Sequence, residues 1–245
     1  MRRVGIALVA VLLLAVAGCA GDGVPLRRPA PTTPAGEEFQ FPATDGTRLG
    51  GRWFGSGSTV VVLANMGDND PGPWESFAPA LAQRGYGVLT FMFRQPPKAV
   101  NIEPEWIAAT VADLRGAIEY ARGRGAQRIV LIGASLGGMA TAKVAGSAGI
   151  AAVVIIASPP DLPDYHFTVE APEIAALTMP KLFVSSVDDR VVPMERTRSL
   201  FDQAPPPKEW QTYPGPAHGV QILATDQGDA LRQRLLDFVA ANAPG

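Results

Sequence analysis

The chain has 245 residues, of which 47% are hydrophobic and 18% charged, and its formal net charge is −2. That length and apolar content suit one sizeable folded body, or at most two small ones. They exclude the strongly basic surface of a nucleic-acid binder, and they exclude disorder driven by charge across the body of the chain.

The first twenty residues, MRRVGIALVAVLLLAVAGCA, open on Arg2 and Arg3, run apolar from Val4 to Ala17 and close on Gly18 and Cys19. The run is short of the ~20 residues that a membrane-spanning helix needs. A basic start, an apolar centre and small residues at the end are the layout of a secretory signal peptide. The ending VAGC resembles a bacterial lipobox. That resemblance implies cleavage before Cys19 and a lipid on its thiol. It therefore implies a lipoprotein of the bacterial cell envelope, facing outside the cytoplasm and meeting the membrane through its lipid. Cys19 is the single cysteine, so no second thiol is present to oxidise with it. Residues 1–18 are expected to be the signal peptide. Residues 19–36 are expected to be the lipidated cysteine and a flexible tether rich in Pro, Gly and Ala. Residues 37–245 are expected to be one folded domain.

The folded part begins with alternating residues around Asp45-Gly46, which predicts an antiparallel hairpin over 37–54. The β-branched run at 58–64 predicts a strand buried on both faces. A helix over 73–86, ended by Gly85, and a strand over 87–93 follow. Residues 103–125 read as a long amphipathic helix with Trp106, Val111, Leu114 and Ile118 as its apolar stripe. Next come a strand at 128–133 and a helix of small residues at about 136–147. Further strands are predicted at 150–158, 181–187 and 208–213, and helices at 194–203 and 222–241. Strands alternating with helices predict an α/β fold, a mostly parallel, doubly wound sheet with its ligand site at the carboxyl ends of the strands.

Gly133-Ala134-Ser135-Leu136-Gly137 is a G-x-S-x-G pattern, and it falls between a predicted strand and a predicted helix, the context that pattern requires. A Cβ at either flanking glycine would meet neighbouring backbone in so sharp a turn. The helix N-terminus behind Ser135 favours negative charge in front of it. Ser135 is thus a candidate nucleophile, which needs a base and an acid later in the chain. The chain has two histidines. His218 lies in YPGPAHGV, after the last predicted strand, whereas His166 lies in an irregular stretch. Asp188 and Asp189 both stand at the end of the 181–187 strand. Only one of them can point at a histidine, because neighbours on an extended chain face opposite ways.

The motifs GASLGG, DDRVVP and AHG, in that order and spacing, resemble the α/β-hydrolase family over about residues 38–243. The resemblance implies an α/β-hydrolase fold and a Ser-Asp-His triad. In the family the acid stands four residues before a proline, as in DRVVP, so Asp189 is selected and Asp188 flanks it. The resemblance further implies an oxyanion hole of two backbone N–H groups. One is that of Leu136. The other comes from the loop after the third strand, where Asn65-Met66 replaces the usual His-Gly and Met66 supplies the donor. FMFRQPP likewise stands where many members have Asp-x-Arg-Gly.

The expected function is a serine hydrolase of carboxylic ester or related acyl bonds, acting on a small-molecule acyl substrate through an acyl-enzyme. Two alternatives stay open: an acyltransferase on the same triad, and a non-catalytic envelope-binding lipoprotein on a hydrolase scaffold. No metal and no cofactor are expected. GDND lacks the spaced ligands of a calcium loop, and zinc, P-loop and dinucleotide motifs are missing. Residues 159–180 leave room for only a minimal cap. The expected pocket is therefore shallow, lined partly by that segment and partly by the loop from Met66 to Trp74, and suited to short or medium acyl groups.

Overall fold

The computed structural model describes residues 36–94 and 103–245. The expected signal peptide, Cys19 and the tether as far as residue 35 lie outside them. Among the described residues no helix is long and apolar enough to cross a membrane.

The opening hairpin pairs β1 (Glu37–Pro42) with β2 (Arg48–Phe54) in antiparallel register. Its turn is closed by Asp45, whose Oδ1 accepts the Thr47 N–H at 3.0 Å, and by Gly46 at φ +87°. Then follow β3 (Thr59–Ala64), α1 (Gly72–Gln83), β4 (Gly87–Phe91), α2 (Pro104–Gly123), β5 (Arg128–Ala134), α3 (Leu136–Ala145) and β6 (Ala152–Ile156). After an insertion come β9 (Lys181–Ser186), α5 (Met194–Gln203), β10 (Lys208–Tyr213) and α6 (Gly228–Asn242). The insertion holds two short strands, β7 (Asp161–Leu162) and β8 (Phe167–Thr168), and the one-turn helix α4 (Ala171–Ala175).

Eight strands form one sheet in the order β1-β2-β4-β3-β5-β6-β9-β10. β1/β2 and β2/β4 are antiparallel, and every other neighbouring pair is parallel. Successive side chains of a strand face opposite layers, so β5 sends Leu131 into one apolar layer and Val130 into the other. The first layer is closed by Leu114 of α2, Met139 of α3 and Leu200 of α5. The second is closed by Trp74 and Phe77 of α1 and by Leu235 of α6. All six residues of β3 are buried, as its unbroken β-branched run predicts.

Three details differ from the sequence reading. The last helix is not continuous over 222–241. A 3₁₀ turn at Gly219–Ala224 precedes α6, and the chain bends so tightly at Gly228 that a Cβ there would lie 2.4 Å from the Leu223 carbonyl oxygen. The buried stripe of α2 is also rotated. Ile107, Thr110, Leu114, Ala117 and Ala121 face inward, while Trp106 and Val111 are half-exposed. The insertion is the third difference, because it carries a β7/β8 pair that its prolines did not suggest.

Candidate active site

Ser135 stands between β5 and α3 with φ +50° and ψ −117°. A non-glycine residue in such a conformation costs about 1–3 kcal/mol and persists only where its surroundings hold it. Here the Ser135 N–H donates to Ile156 O at 2.8 Å, and its own carbonyl accepts from the Gly138 and Met139 N–H groups at 3.0 and 3.1 Å. The surrounding glycines have a steric reason. A Cβ on Gly133 would sit 2.3 Å from Gly137 O, and one on Gly137 would sit 2.3 Å from Asn65 O. On Gly138 it would lie 1.8 Å from Ser158 Oγ. The turn after β5 is thus pressed against the end of β3 and the end of β6.

His218 follows β10 and is buried. Its Nδ1 meets Asp189 Oδ2 at 2.8 Å. A carboxylate only accepts, so Nδ1 carries the proton and Nε2 is left as the acceptor edge. Asp189 is held in turn, since its Oδ1 accepts the Val191 and Val192 N–H groups at 2.9 and 3.0 Å. Asp188 is exposed and its N–H donates to Gly215 O. The loop bearing His218 is tied to β9 by Ser186, whose hydroxyl donates to Ala217 O at 2.5 Å. His166 lies apart in the insertion, with φ +50°.

Gly219, next to His218, packs so that a Cβ would lie 2.4 Å from Met66 Sδ and 3.5 Å from Ala134 Cβ. Met66, the Ser135 turn and the His218 loop are therefore neighbours. Among the described residues, His218 makes no hydrogen bond to Ser135 Oγ. Such catalytic contacts are often long before a substrate closes them. The N–H groups of Met66 and Leu136 likewise donate to no backbone acceptor among the described residues. Both residues line one cavity of about 210 Å³, with Asn69, Phe93, Trp106 and Ile107 among its other walls. A larger open groove of about 540 Å³ lies elsewhere, between the first turn of α1 and the faces of β1, β2 and β4, and none of the candidate residues line it.

Residues 159–180 were expected to line the pocket, but none of them borders this cavity. They are drawn instead onto the α2–α3 face, where Leu162, Tyr165, Phe167 and Ile174 join the first apolar layer. Among the described residues no cluster of three potential metal ligands occurs. The carboxylates of GDND serve the backbone: Asp68 accepts the Asp70 N–H at 3.4 Å and Asp70 accepts the Gly72 N–H at 2.9 Å.

No protein-family model and no curated protein sequence matches the chain. Solved structures do. The esterase domain of a Rhodothermus marinus protein is 21% identical over 83% of this chain and 97% of its own, with a TM-score of 0.66. A monoacylglycerol lipase of Paleococcus ferrophilus is 16% identical over 80% of this chain and all of its own, with a TM-score of 0.66. A bromoperoxidase of Bacillus anthracis is 17% identical over 83% of this chain and 99% of its own, with a TM-score of 0.65. The chain has the α/β-hydrolase fold.

Two asparagines gain a role in this α/β-hydrolase fold that the sequence did not reveal: Asn65, noted there only as a departure from the usual loop, and Asn69, not singled out at all. Asn65 is fully buried and donates from Nδ2 to Phe91 O at 3.0 Å. Asn69, at φ +58°, donates to Phe93 O at 2.8 Å and accepts the Phe93 N–H at 2.9 Å. Together they fasten the loop bearing Met66 to the end of β4. Asn-x-x-x-Asn is too short and common a pattern to reveal this before β3 and β4 are paired. Arg94 was similarly noted only as a departure from the usual loop. Its guanidinium meets Asp113 at 2.5 Å and Asp45 at 2.7 Å, and these carboxylates hold its pKa above the ordinary arginine range.

Proposed function

We propose that this chain is a serine hydrolase of carboxylic ester or related acyl bonds. The buried Asp189–His218 pair, set beside the strained Ser135 turn, is the observation that carries the reading. Ser135 Oγ attacks the acyl carbon while His218 Nε2 takes its proton. The Met66 and Leu136 N–H groups stabilise the oxyanion, and the leaving alcohol receives the proton from His218. Water, activated by the same imidazole, then releases the acid from the acyl-enzyme. Asp189 fixes the tautomer and supports the transient imidazolium. Two structural relatives are an esterase domain and a monoacylglycerol lipase, which supports this chemistry, and the same fold hosts other reactions as well.

Stoichiometric labelling by an alkyl fluorophosphonate tests the nucleophile. Ser135→Ala should stay folded, take no label and lose up to about a million-fold in kcat. A variant that keeps a tenth of the activity would show that another residue attacks.

We further propose that the enzyme is held at the cell envelope by a lipid on Cys19, supported by the lipobox-like VAGC and the lack of any other cysteine. Several acyl chains anchor firmly where one does so only marginally. The intact mass of membrane-extracted protein should show a lipidated Cys19 as the first residue. A bare thiol, or a different first residue, would refute this.

A further inference from the structure

We infer that the cavity between the Met66 loop and α2 is the acyl site, and that it selects short, neutral, apolar acyl groups of about four to six carbons. This inference rests on the serine-hydrolase reading. Met66 and Leu136, whose backbone N–H groups are assigned to the oxyanion, line this cavity together with Ile107 and Thr110 of α2 and Phe93 after β4, while Ser135, Asp189 and His218 are not among its described lining residues. An acyl group whose carbonyl oxygen lies at those donors has this space beside it for its chain.

Size sets the upper limit. The volume is about 210 Å³, below the ~300–1,000 Å³ of sites that take drug-sized ligands. At ~30 Å³ for a group the size of water it holds about seven such groups. Burial of each methylene is worth about fourfold in kcat/KM until the space is full.

The polar groups on the walls set the chemistry. The Thr110 hydroxyl is spent on Ile107 O at 2.6 Å, and both ends of the Asn69 amide are spent on the Phe93 backbone. Arg94 faces two carboxylates, Asp113 and Asp45, so its charge is more than balanced. Asp68 is exposed on the same wall. Among the described wall residues no cation is left to receive an acyl carboxylate, and a desolvated charge without a partner is costly. Phe93, Ile107, Leu136 and Met66 supply the apolar contact.

The experiment uses the full chain and p-nitrophenyl esters from acetate to decanoate, with the hemisuccinate and a glycyl ester as charged arms. Wild type should rise through butyrate, peak by about hexanoate and then fall. The hemisuccinate should be slower than the butyrate by at least about a hundredfold. Ile107→Ala should move the optimum to longer chains and Ile107→Phe to acetate, with thermal unfolding showing that both variants fold. Opposite shifts from one position cannot come from misfolding. A labelled, active enzyme whose optimum ignores both variants, climbs steadily to decanoate or favours a charged acyl group overturns this inference and leaves the hydrolase reading standing. A wild type that neither labels nor cleaves any ester overturns both.

Discussion

Asp188 and Asp189 are adjacent carboxylates with opposite surroundings. One is exposed, while the other is buried with three hydrogen bonds, two from backbone N–H groups and one from His218. Asp189→Asn should therefore lower kcat by about 10⁴-fold, because an amide can hold the imidazole in the wrong tautomer. Asp188→Asn should leave kcat within about twofold, as an exposed substitution does to stability. Steady-state rates of the two purified variants decide it, and equal losses would move the acid assignment. Lys181 is another buried charge, 1% exposed, with its ammonium donating to Pro205 O and Pro207 O at 2.7 and 2.9 Å. Burial, with the nearby Lys208 charge, lowers its pKa from 10.5 to about 8. Between these two values the unfolded chain holds a proton that the folded chain has released, so stability rises with pH across the window. Below about 8 both states are protonated and the full penalty of burial applies. Wild type should gain about 2 kcal/mol over Lys181→Met between pH 8 and 10 in urea unfolding. The raised pKa values of Tyr86 and Tyr213 weaken both proteins alike at higher pH. A constant difference would show that the two carbonyls hold the ammonium charged.

The insertion at residues 159–180 behaves as a fixed element. Lys143 of α3 reaches Thr168 O at 2.5 Å and Glu173 at 2.7 Å, and Arg196 of α5 pairs with Asp161. Its own Val169, Ile174 and Leu177 are buried. An element with apolar anchors and ion pairs to two helices does not open as a lid without losing both. Hydrolysis of a triglyceride of short acids should therefore rise smoothly through its solubility limit. A jump in rate at the emulsion boundary, as in lipases with a mobile cover, would show that these anchors release.

At the scale of the whole molecule, the sheet does the positioning. The carboxyl ends of β3, β5 and β9 lie along one edge, so residues far apart in the chain, Met66, Ser135 and Asp189, meet where the strands stop. His218 joins them because β10 pairs in parallel with β9 and the Ser186–Ala217 contact draws its loop inward. Ser186→Ala should lower kcat several-fold, with little change in KM, by loosening that loop. A change confined to KM would place the effect in substrate binding instead.

Much of this was legible in the sequence, because it is local. The β-branched run of β3, the glycines around Ser135 and the Asp-Gly turn each state their own backbone geometry. The order of serine, aspartate and histidine follows the chain, so the candidate residues could be named before any pairing was known. What only tertiary structure decided is non-local. Helical period located α2 but not which of Trp106 and Ile107 turns inward, since that depends on what the sheet places beneath it. The insertion was expected to line the pocket in part, yet its apolar residues pack on the α2–α3 face, where they bury apolar area. The wall of the cavity was invisible for the same reason. It joins the ends of β3 and β4 to the start of α2, and no sequence spacing encodes how closely three separate elements approach.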